Sequence, residues 1–423
     1  MISAKHIPKY YHYLLGFSAL LIGAYSKWML LGLLPLLMVT IYGWKSSIFA
    51  FRWTKTQWIW TLLYFVYVFY SLFYWNTRLS PQQIEYKLSW LIFPFLFSLV
   101  PNFKLDKKFV IFGFIIGVII ASILGIAKAI YTCNTIGLTL TSYTSSNISI
   151  NHPTYFSASA TIALLLIIDH WNQNTLAHWK KWQKFSVTCF LFLMILMSFS
   201  MAGFLFLAAL LVIAFVYFIF QKRISILIKF LMLIIPISFG ILISKNEFIM
   251  GEFNNTRQAL NQYVTNPSLF IENKNQAQNG DEIRLIMWTA SFMEISEHPM
   301  GVGPTKIGEH LSRRLHDLKQ PKMAELNARG EVHYNPHNQY LQMALEIGWL
   351  PLLVFICALT NLFFIGLKNK HFTLSAVVLL LGFHCFFESI LQRQSGIVTF
   401  TFFFTYFIFC IFHEKKEDIK NVE

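Results

Sequence analysis

Charged residues are scarce in this chain of 423 residues. Asp, Glu, Lys and Arg make up 13% of the sequence, whereas hydrophobic residues make up 56% and aromatic residues 17%. Ordinary soluble domains contain about 25% charged residues, so this composition excludes that class. The scarcity of charge predicts an all-α polytopic membrane protein.

Cysteine pairs and metal-binding motifs are also lacking. Five cysteines lie in or beside apolar runs without C-x-x-C spacing, so they are interpreted as packing residues rather than as a zinc site or disulfide framework. The histidines of the polar stretch lack H-E-x-x-H spacing, and Asp281-Glu282 is the only adjacent acidic pair in the outer loops. The sequence therefore predicts metal-independent chemistry without a cofactor.

The net charge of +14 indicates orientation rather than nucleic-acid binding. Lys and Arg fall mostly in short segments between apolar runs, as expected for cytoplasmic loops of a membrane protein. The predicted cytoplasmic segments are 1–9, 44–56, 101–108, 169–185, 221–223, 367–371 and 413–423, which places both termini in the cytoplasm. The segments with few positive charges, predicted to face the periplasm, are 76–86, 132–153 and 391–395.

About twelve apolar runs are long enough to be considered for a hydrocarbon core of about 30 Å. They lie near 10–25, 28–43, 57–75, 87–100, 109–131, 154–168, 186–199, 201–220, 224–243, 338–366, 372–390 and 396–412. Residues 1–243 then hold helices one to nine, 244–336 form a long periplasmic loop, and 337–423 hold the last three helices and a cytoplasmic tail. A secondary transporter, the alternative from another class, is expected to show internal repeats, and the two halves show none.

The long loop contains an amphipathic helix. Asp281 is the expected N-cap, and His298-Pro299 is expected to end the helix near Ser296. Arg284 and Trp288 are four residues apart and share a face. Arg284 is either paired with Asp281 or a functional cation.

His337 is the candidate general base. Asn335 suits an N-cap and Pro336 the first helical position, so His337 is expected in the first turn of the following helix. There the helix dipole would favour a neutral imidazole and a nearby phosphate. The alternative is a surface or capping histidine.

Three segments resemble the O-antigen ligase and polymerase superfamily. Residues 336–351 are similar to its H-N-x-Y-L…E-x-G motif, residues 284–303 to its R-x-x-x-W…HP-x-G-x-G element, and residues 388–394 to a late segment of its members. The resemblance implies that Arg284 lies at the diphosphate of a lipid-linked donor. Asn338 and Trp288, which belong to these motifs, are assigned to substrate binding.

The chain departs from the family at a second arginine. Where many members have S-R-x-G, this chain has Ser200-Met201-Ala202-Gly203, and methionine cannot bind phosphate. Lys128 is the first substitute to consider, the alternative being a lysine that extends to the membrane surface. Arg393 either pairs with Glu388 or helps to hold phosphate beside His337. His152 is expected to cap a helix or to contribute a polar group.

The resemblance implies an inverting membrane glycosyltransferase. Its donor would be a glycan on undecaprenyl diphosphate, its acceptor a hydroxyl on the periplasmic face of the inner membrane, and membrane lipids would surround the polyprenyl tail. We favour O-antigen ligase with lipid A–core as acceptor. O-antigen polymerase and then protein O-oligosaccharyltransferase are the alternatives.

Overall fold

The computed structural model describes residues 4–136, 152–198, 200–220, 245, 247–272 and 280–420. The helices of the first 220 residues are α1 (Ile7–Tyr25), α2 (Met29–Lys45), α3 (Lys55–Phe73), α4 (Ser80–Lys87), α5 (Ser89–Ser98), α6 (Lys108–Ile136), α7 (Pro153–Asp169), α8 (Lys181–Met197) and α9 (Met201–Phe220). The later helices are α10 (Glu247–Thr265), α11 (Pro267–Glu272), α12 (Gly280–Glu297), α13 (Ile307–Asp317), α14 (Pro321–Ala328), α15 (Gln339–Ile347), α16 (Trp349–Lys368), α17 (Phe372–Phe387) and α18 (Gln394–Lys420). Two three-residue strands, β1 (Phe49–Phe51) and β2 (Leu99–Pro101), pair antiparallel.

The described chain is an all-α membrane protein, as predicted. Four of its segments are long and apolar enough to cross a membrane: Ile7–Lys45, Lys108–Thr135, Trp349–Lys368 and Gln394–Glu414. Shorter apolar helices are Pro153–Asp169, Met201–Ile213 and Phe372–Phe387. The count of about twelve spans and the periplasmic loop stay predictions, and the predicted run 224–243 lies outside the described residues.

The first two helices form a hairpin that packs on α6. A 3₁₀ turn at Ser26–Trp28 joins them, and a Cβ added at Gly32 would lie 2.8 Å from the hydroxyl of Ser18. A Cβ added at Gly113 of α6 would lie 2.2 Å from the carbonyl oxygen of Gly16. Small residues allow close backbone approach between membrane helices, where van der Waals packing drives association.

The predicted span 338–366 is wrong as a single helix, because the chain breaks at Gly348. This glycine has φ 84°, and a Cβ there would lie 2.6 Å from the backbone of Met300. The turn at 298–303 fills the break: Val302 N donates to Leu345 O (2.7 Å) and Trp349 N to Pro299 O (3.1 Å). The glycines of the HP-x-G-x-G and E-x-G elements thus allow two segments of backbone to meet.

The predicted amphipathic helix of the long loop corresponds to α12. It extends from Gly280 to Glu297 and ends at His298-Pro299 as expected. Ile286, Met287 and Ala290 are fully buried, whereas Arg284 is partly exposed. The sequence therefore located the helix and its apolar side, but the predicted N-cap was wrong, because Asp281 lies inside the first turn.

Candidate active site

His337 lies just before a helix rather than inside its first turn, so that prediction was wrong. The N-cap of α15 is Asn338, whose Oδ1 accepts from the backbone N–H groups of Tyr340 (3.0 Å) and Leu341 (3.1 Å). His337 has φ 45°, and its N–H donates to Asn335 Oδ1 (2.8 Å). Asn335 therefore forms a turn around His337 instead of capping the helix.

Glu388 is the partner that orients His337. It lies just beyond the end of α17, is 6% exposed, and its Oε2 is 3.3 Å from His337 Nδ1. Burial would raise the pKa of Glu388, but the hydrogen bond and positive charge of His337, together with His152, hold the pKa below its ordinary value. An ionised carboxylate only accepts hydrogen bonds, so Nδ1 donates. In a neutral imidazole this leaves the lone pair on Nε2, as a general base requires.

Hydrogen bonds from neighbouring helices fix the segment that carries His337. Trp288 Nε1 of α12 donates to Pro336 O (2.7 Å), and Ser389 Oγ donates to Asn335 Oδ1 (3.3 Å). Tyr155 of α7 donates in turn to Ser389 O (3.4 Å). The N–H of Trp288 and the amide oxygen of Asn338, two predicted substrate-binding groups, are thus used to position this segment.

Arg284 is paired with Asp281 and, like His337, acts electrostatically on His152. Its Nη1 is 2.9 Å from Asp281 Oδ1, one turn earlier in α12, and Asp281 also accepts from the Thr256 hydroxyl. The guanidinium keeps further N–H donors, since a bond to one carboxylate oxygen uses one of five. Arg284 can therefore be held by Asp281 and still face an anionic group.

His152 joins the cluster and is the residue whose importance the sequence least indicated. Four groups act on it electrostatically: Glu388, Arg393, His337 and Arg284. Burial is the largest influence and lowers the pKa of His152, the positive charges lower it further, and Glu388 raises it. His152 immediately precedes α7 but makes no side-chain cap hydrogen bond. Only its His-Pro sequence at the outer end of an apolar run could have signalled it.

Arg393 is exposed and does not form the predicted ion pair with Glu388 within the described residues. Glu388 contacts His337 instead, because the 3₁₀ turn Ile390–Gln392 separates Glu388 from Arg393. The charge of Arg393 nevertheless acts on His152 and Tyr155. This leaves the guanidinium available for a ligand, which was the second interpretation of this residue.

A fully buried lysine supports the turn before Arg393. Lys87 Nζ donates to Leu391 O (2.8 Å) and lies over the ring of Tyr67, 4.8 Å from its centroid. Leu391 N donates to Gln339 Oε1 (2.8 Å). Tyr67 donates to Glu346, which also acts electrostatically on Lys87. These bonds join α3, α4 and α15 to the turn, a link that the sequence did not predict.

Lys128 is not part of this cluster in the described part of the chain. Its side chain is exposed on α6, and within the described residues it makes no hydrogen bond or ion pair with the residues around His337. Met201 begins α9 and is 39% exposed. A Cβ at Gly203 would lie 2.8 Å from Ser157 Cβ, so the start of α9 packs on α7, the helix that follows His152.

Comparison with known proteins agrees with the sequence motifs. A family model described as O-antigen ligase matches residues 186–356, which include Arg284, Trp288 and His337. Residues 186–356 are therefore similar to the O-antigen ligase domain, as the sequence motifs indicated. No curated protein matches the chain. The O-antigen ligase domain identifies a membrane glycosyltransferase of the ligase and polymerase type, and His152, Glu388 and Arg393 extend the cluster beyond the matched range.

Proposed function

We propose that this protein is an O-antigen ligase, which transfers a glycan from undecaprenyl diphosphate to a hydroxyl of lipid A–core on the periplasmic face of the inner membrane. The observation that carries the proposal is the His337–Glu388 contact, with the two guanidinium groups of Arg284 and Arg393 in the same electrostatic cluster. His337 can accept a proton, and the guanidinium groups of Arg284 and Arg393 can stabilise an anion. These are the requirements of glycosyl transfer from a diphosphate.

In the proposed reaction His337 Nε2 takes the proton of the acceptor hydroxyl as its oxygen attacks the anomeric carbon. The bond between that carbon and the diphosphate oxygen breaks, and the diphosphate keeps the electron pair. A single displacement of this kind inverts the configuration. The leaving group needs charge compensation rather than a proton, which Arg284 and Arg393 supply without a metal ion. Glu388 stabilises the imidazolium that forms, as the third member of a catalytic triad does.

The proposal is tested by His337→Ala in the full-length protein, reconstituted in nanodiscs with lipid-linked donor and lipid A–core acceptor. We expect transfer to fall roughly 10²–10⁴-fold, the usual contribution of general-base catalysis. His333→Ala is the matched control, because His333 is exposed four residues earlier in the same loop. Substantial transfer by His337→Ala at unchanged expression would show that His337 is a structural residue.

A second variant tests whether the charge of Glu388 assists the His337 imidazole. Glu388→Gln keeps an oxygen that can accept from Nδ1 but removes the negative charge that stabilises the imidazolium. We expect the kcat to fall about 10-fold, the difference between a charge-assisted and a neutral hydrogen bond, with little change in the acceptor KM. A changed KM at unchanged kcat would contradict this positioning role.

The acceptor is tested by deleting the gene and separating the lipopolysaccharide by gel electrophoresis. Loss of a ligase leaves unsubstituted core while lipid-linked polymer accumulates. Core bearing a single repeat would instead indicate a polymerase. Unchanged lipopolysaccharide would contradict both acceptors.

A further inference from the structure

Three side chains with metal-ligand atoms converge where α12 ends. Glu294 and His298 are one helical turn apart, and His310 approaches from α13. Glu294 Oε1 lies 3.2 Å from His298 Nε2 and 2.7 Å from His310 Nδ1, and the three atoms lie within 4.8 Å of one another. Ligand atoms around a tetrahedral Zn²⁺, with bonds of roughly 2.0–2.1 Å, are about 3.3 Å apart. Small side-chain movements would therefore bring these three atoms to the spacing of zinc ligands.

The surroundings suit a bound cation. Arg314 Nε donates to Glu294 Oε2 (2.7 Å), which leaves Oε1 directed at the two imidazoles. Hydrogen bonds to the other oxygen of a ligating carboxylate fix its orientation in metal sites. Arg314 also pairs with Glu297 and with Asp317 (3.5 Å), so three carboxylates surround one guanidinium. The local charge is therefore negative whenever the imidazoles are neutral.

The cluster is buried on one side and open on the other. The Glu294 side chain is 3% exposed, whereas that of His298 is 47% exposed. A metal ion can therefore enter from solvent on the His298 side and keep a water molecule as fourth ligand. Sequence reasoning missed this arrangement because His310 reaches the other two residues only through the turn between α12 and α13.

We propose that Glu294, His298 and His310 bind one divalent transition-metal ion of the zinc class. The site is separate from the proposed catalytic cluster, since Glu294 is ten residues beyond Arg284 on α12, about 15 Å along the helix axis. It also does not depend on the proposed glycosyl transfer.

A bound ion would strengthen the contact between the loop helices and the break at Gly348. It would join the end of α12 to α13 on either side of the 298–303 turn. That turn donates Val302 N–H to Leu345 O and Gly303 N–H to Glu346 O, at the end of the helix that follows His337. The ion would thus have a structural role.

The test uses the full-length protein in detergent, stripped of metal with EDTA and titrated with ZnCl₂ by calorimetry. We expect one Zn²⁺ per chain, and with CoCl₂ the visible absorption bands of tetrahedral Co²⁺. Loss of one ligand in His298→Ala or His310→Ala should weaken binding at least ~100-fold, since even second-shell changes cost 10–100-fold. The matched controls are His316→Ala and His333→Ala, two exposed histidines of the same loop, which should bind as the wild type does.

A second readout separates metal binding from folding. His298 is exposed, so His298→Ala should keep the wild-type circular dichroism spectrum and Tm without metal, but lose the rise in Tm that ZnCl₂ gives the wild type. The proposal is overturned if the wild type binds no stoichiometric Zn²⁺. It is equally overturned if His298→Ala or His310→Ala binds Zn²⁺ as tightly as the two controls do. The three residues would then be an ordinary network of ion pairs.

Discussion

Glu388 decides which nitrogen of His337 is free to act. Since the carboxylate accepts a hydrogen bond from Nδ1–H, Nε2 keeps its lone pair and the imidazole cannot rotate freely. The sequence identified both residues but paired Glu388 with Arg393, which is only five residues away. The actual partner is 51 positions distant in sequence. Local spacing cannot reveal such a contact, because the meeting of α15 with the end of α17 creates it.

Arg284 should be the main cation for the donor diphosphate, because Met201 occupies the place of the second family arginine. We expect Arg284→Ala to raise the donor KM by about 10- to 100-fold, as loss of a hydrogen bond between charged groups does. Arg284→Lys should restore transfer only in part, since a lysine lacks the planar fork. The measurement is transfer from purified lipid-linked donor at several donor concentrations.

Two further variants complete the Arg284 experiment. Arg313→Ala is the control, because Arg313 is exposed and, among the described residues, its ion pair is with Glu309 in the same helix. Met201→Arg should be tolerated or increase donor use, since Met201 is partly exposed at the start of α9. An unchanged donor KM in Arg284→Ala would move the diphosphate site toward Arg393 and Lys128.

At the scale of helices, the sequence predicted those elements whose limits are set by local signals. The end of α12 at His298-Pro299 is such a case. The start of α15 is not, because Asn335 and Asn338 are both good N-caps, and local spacing cannot show that Asn335 contacts Ser389, 54 positions away in sequence. The break at Gly348 was missed for the same reason. Hydropathy continues through it, and the Met300 backbone that requires a glycine lies far away in the chain.

Gly348→Ala should destabilise the protein. The backbone of Gly348, with φ 84° and ψ −179°, is in a region used almost only by glycine, so a residue with a Cβ costs roughly 1–3 kcal/mol there, and the new methyl group would overlap the backbone of Met300. Gly308→Ala in α13 is the control, since no atom lies within 4 Å of its added Cβ. Thermal unfolding in detergent should show a lower Tm for Gly348→Ala alone. Equal Tm values for both variants would mean that the turn at 298–303 does not need the glycine.

Glu294 should stabilise the packing of α12 on α13 in a pH-dependent way. Burial raises the pKa of Glu294, but hydrogen bonds from Arg314 and His310 hold it below the ordinary value. A carboxyl with a lowered folded pKa contributes stability above its unfolded pKa, about 4.3, and loses that contribution as pH falls through the folded pKa.

Glu294→Gln should therefore lower the Tm at pH 7, and the difference from wild type should shrink below about pH 4. EDTA is present throughout, so that metal binding does not contribute. Glu309→Gln is the control, because the ion pair of Glu309 within the described part of the chain is an exposed one with Arg313. A Tm difference that stays constant down to acid pH would show that the charge of Glu294 is not what joins the two helices.

At the scale of the whole molecule, several lysine-rich segments contact one another. The N–H of Asp106 donates to His12, and Lys107 pairs with Glu414, so the N-terminal helix, the segment before α6 and the end of α18 meet. The β1–β2 pair adds the segment after α2. Lys107 also acts electrostatically on Asp169, at the end of α7. Four of the segments that these contacts join, 44–56, 101–108, 169–185 and 413–423, are predicted from their lysine and arginine content to face the cytoplasm.

Other contacts join residues that lie in or beside the predicted periplasmic segments and the turn between α1 and α2. Ser26 between α1 and α2 is hydrogen-bonded to Ser395 (2.9 Å), and Thr305 donates to Tyr74 O (2.7 Å). Tyr155 reaches Ser389 in the same way. The assignment of the loops to two sides of the membrane stays a prediction from the lysine and arginine counts. The contacts of His337 required the folded chain.

Cysteine labelling of intact cells tests which end faces the periplasm. Single cysteines are introduced into a background in which the five native cysteines are replaced, because Cys189 and Cys357 are exposed and would react themselves. An impermeant maleimide should modify cysteines at Ser145 and Asn275 but not at Asn172 or Asn369. The last two must behave alike, since Thr373 after Asn369 is hydrogen-bonded to Asp169 before Asn172.

Permeabilised cells provide the control, since all four positions should then react. Labelling at positions 172 and 369 in intact cells, with protection of the other two positions, would show that the membrane orientation is opposite to the predicted one. His337 would then face the cytoplasm, where a periplasmic acceptor is absent. The orientation predicted from lysine and arginine is therefore a condition for the proposed ligase activity, and the labelling experiment can reject that activity without any substrate.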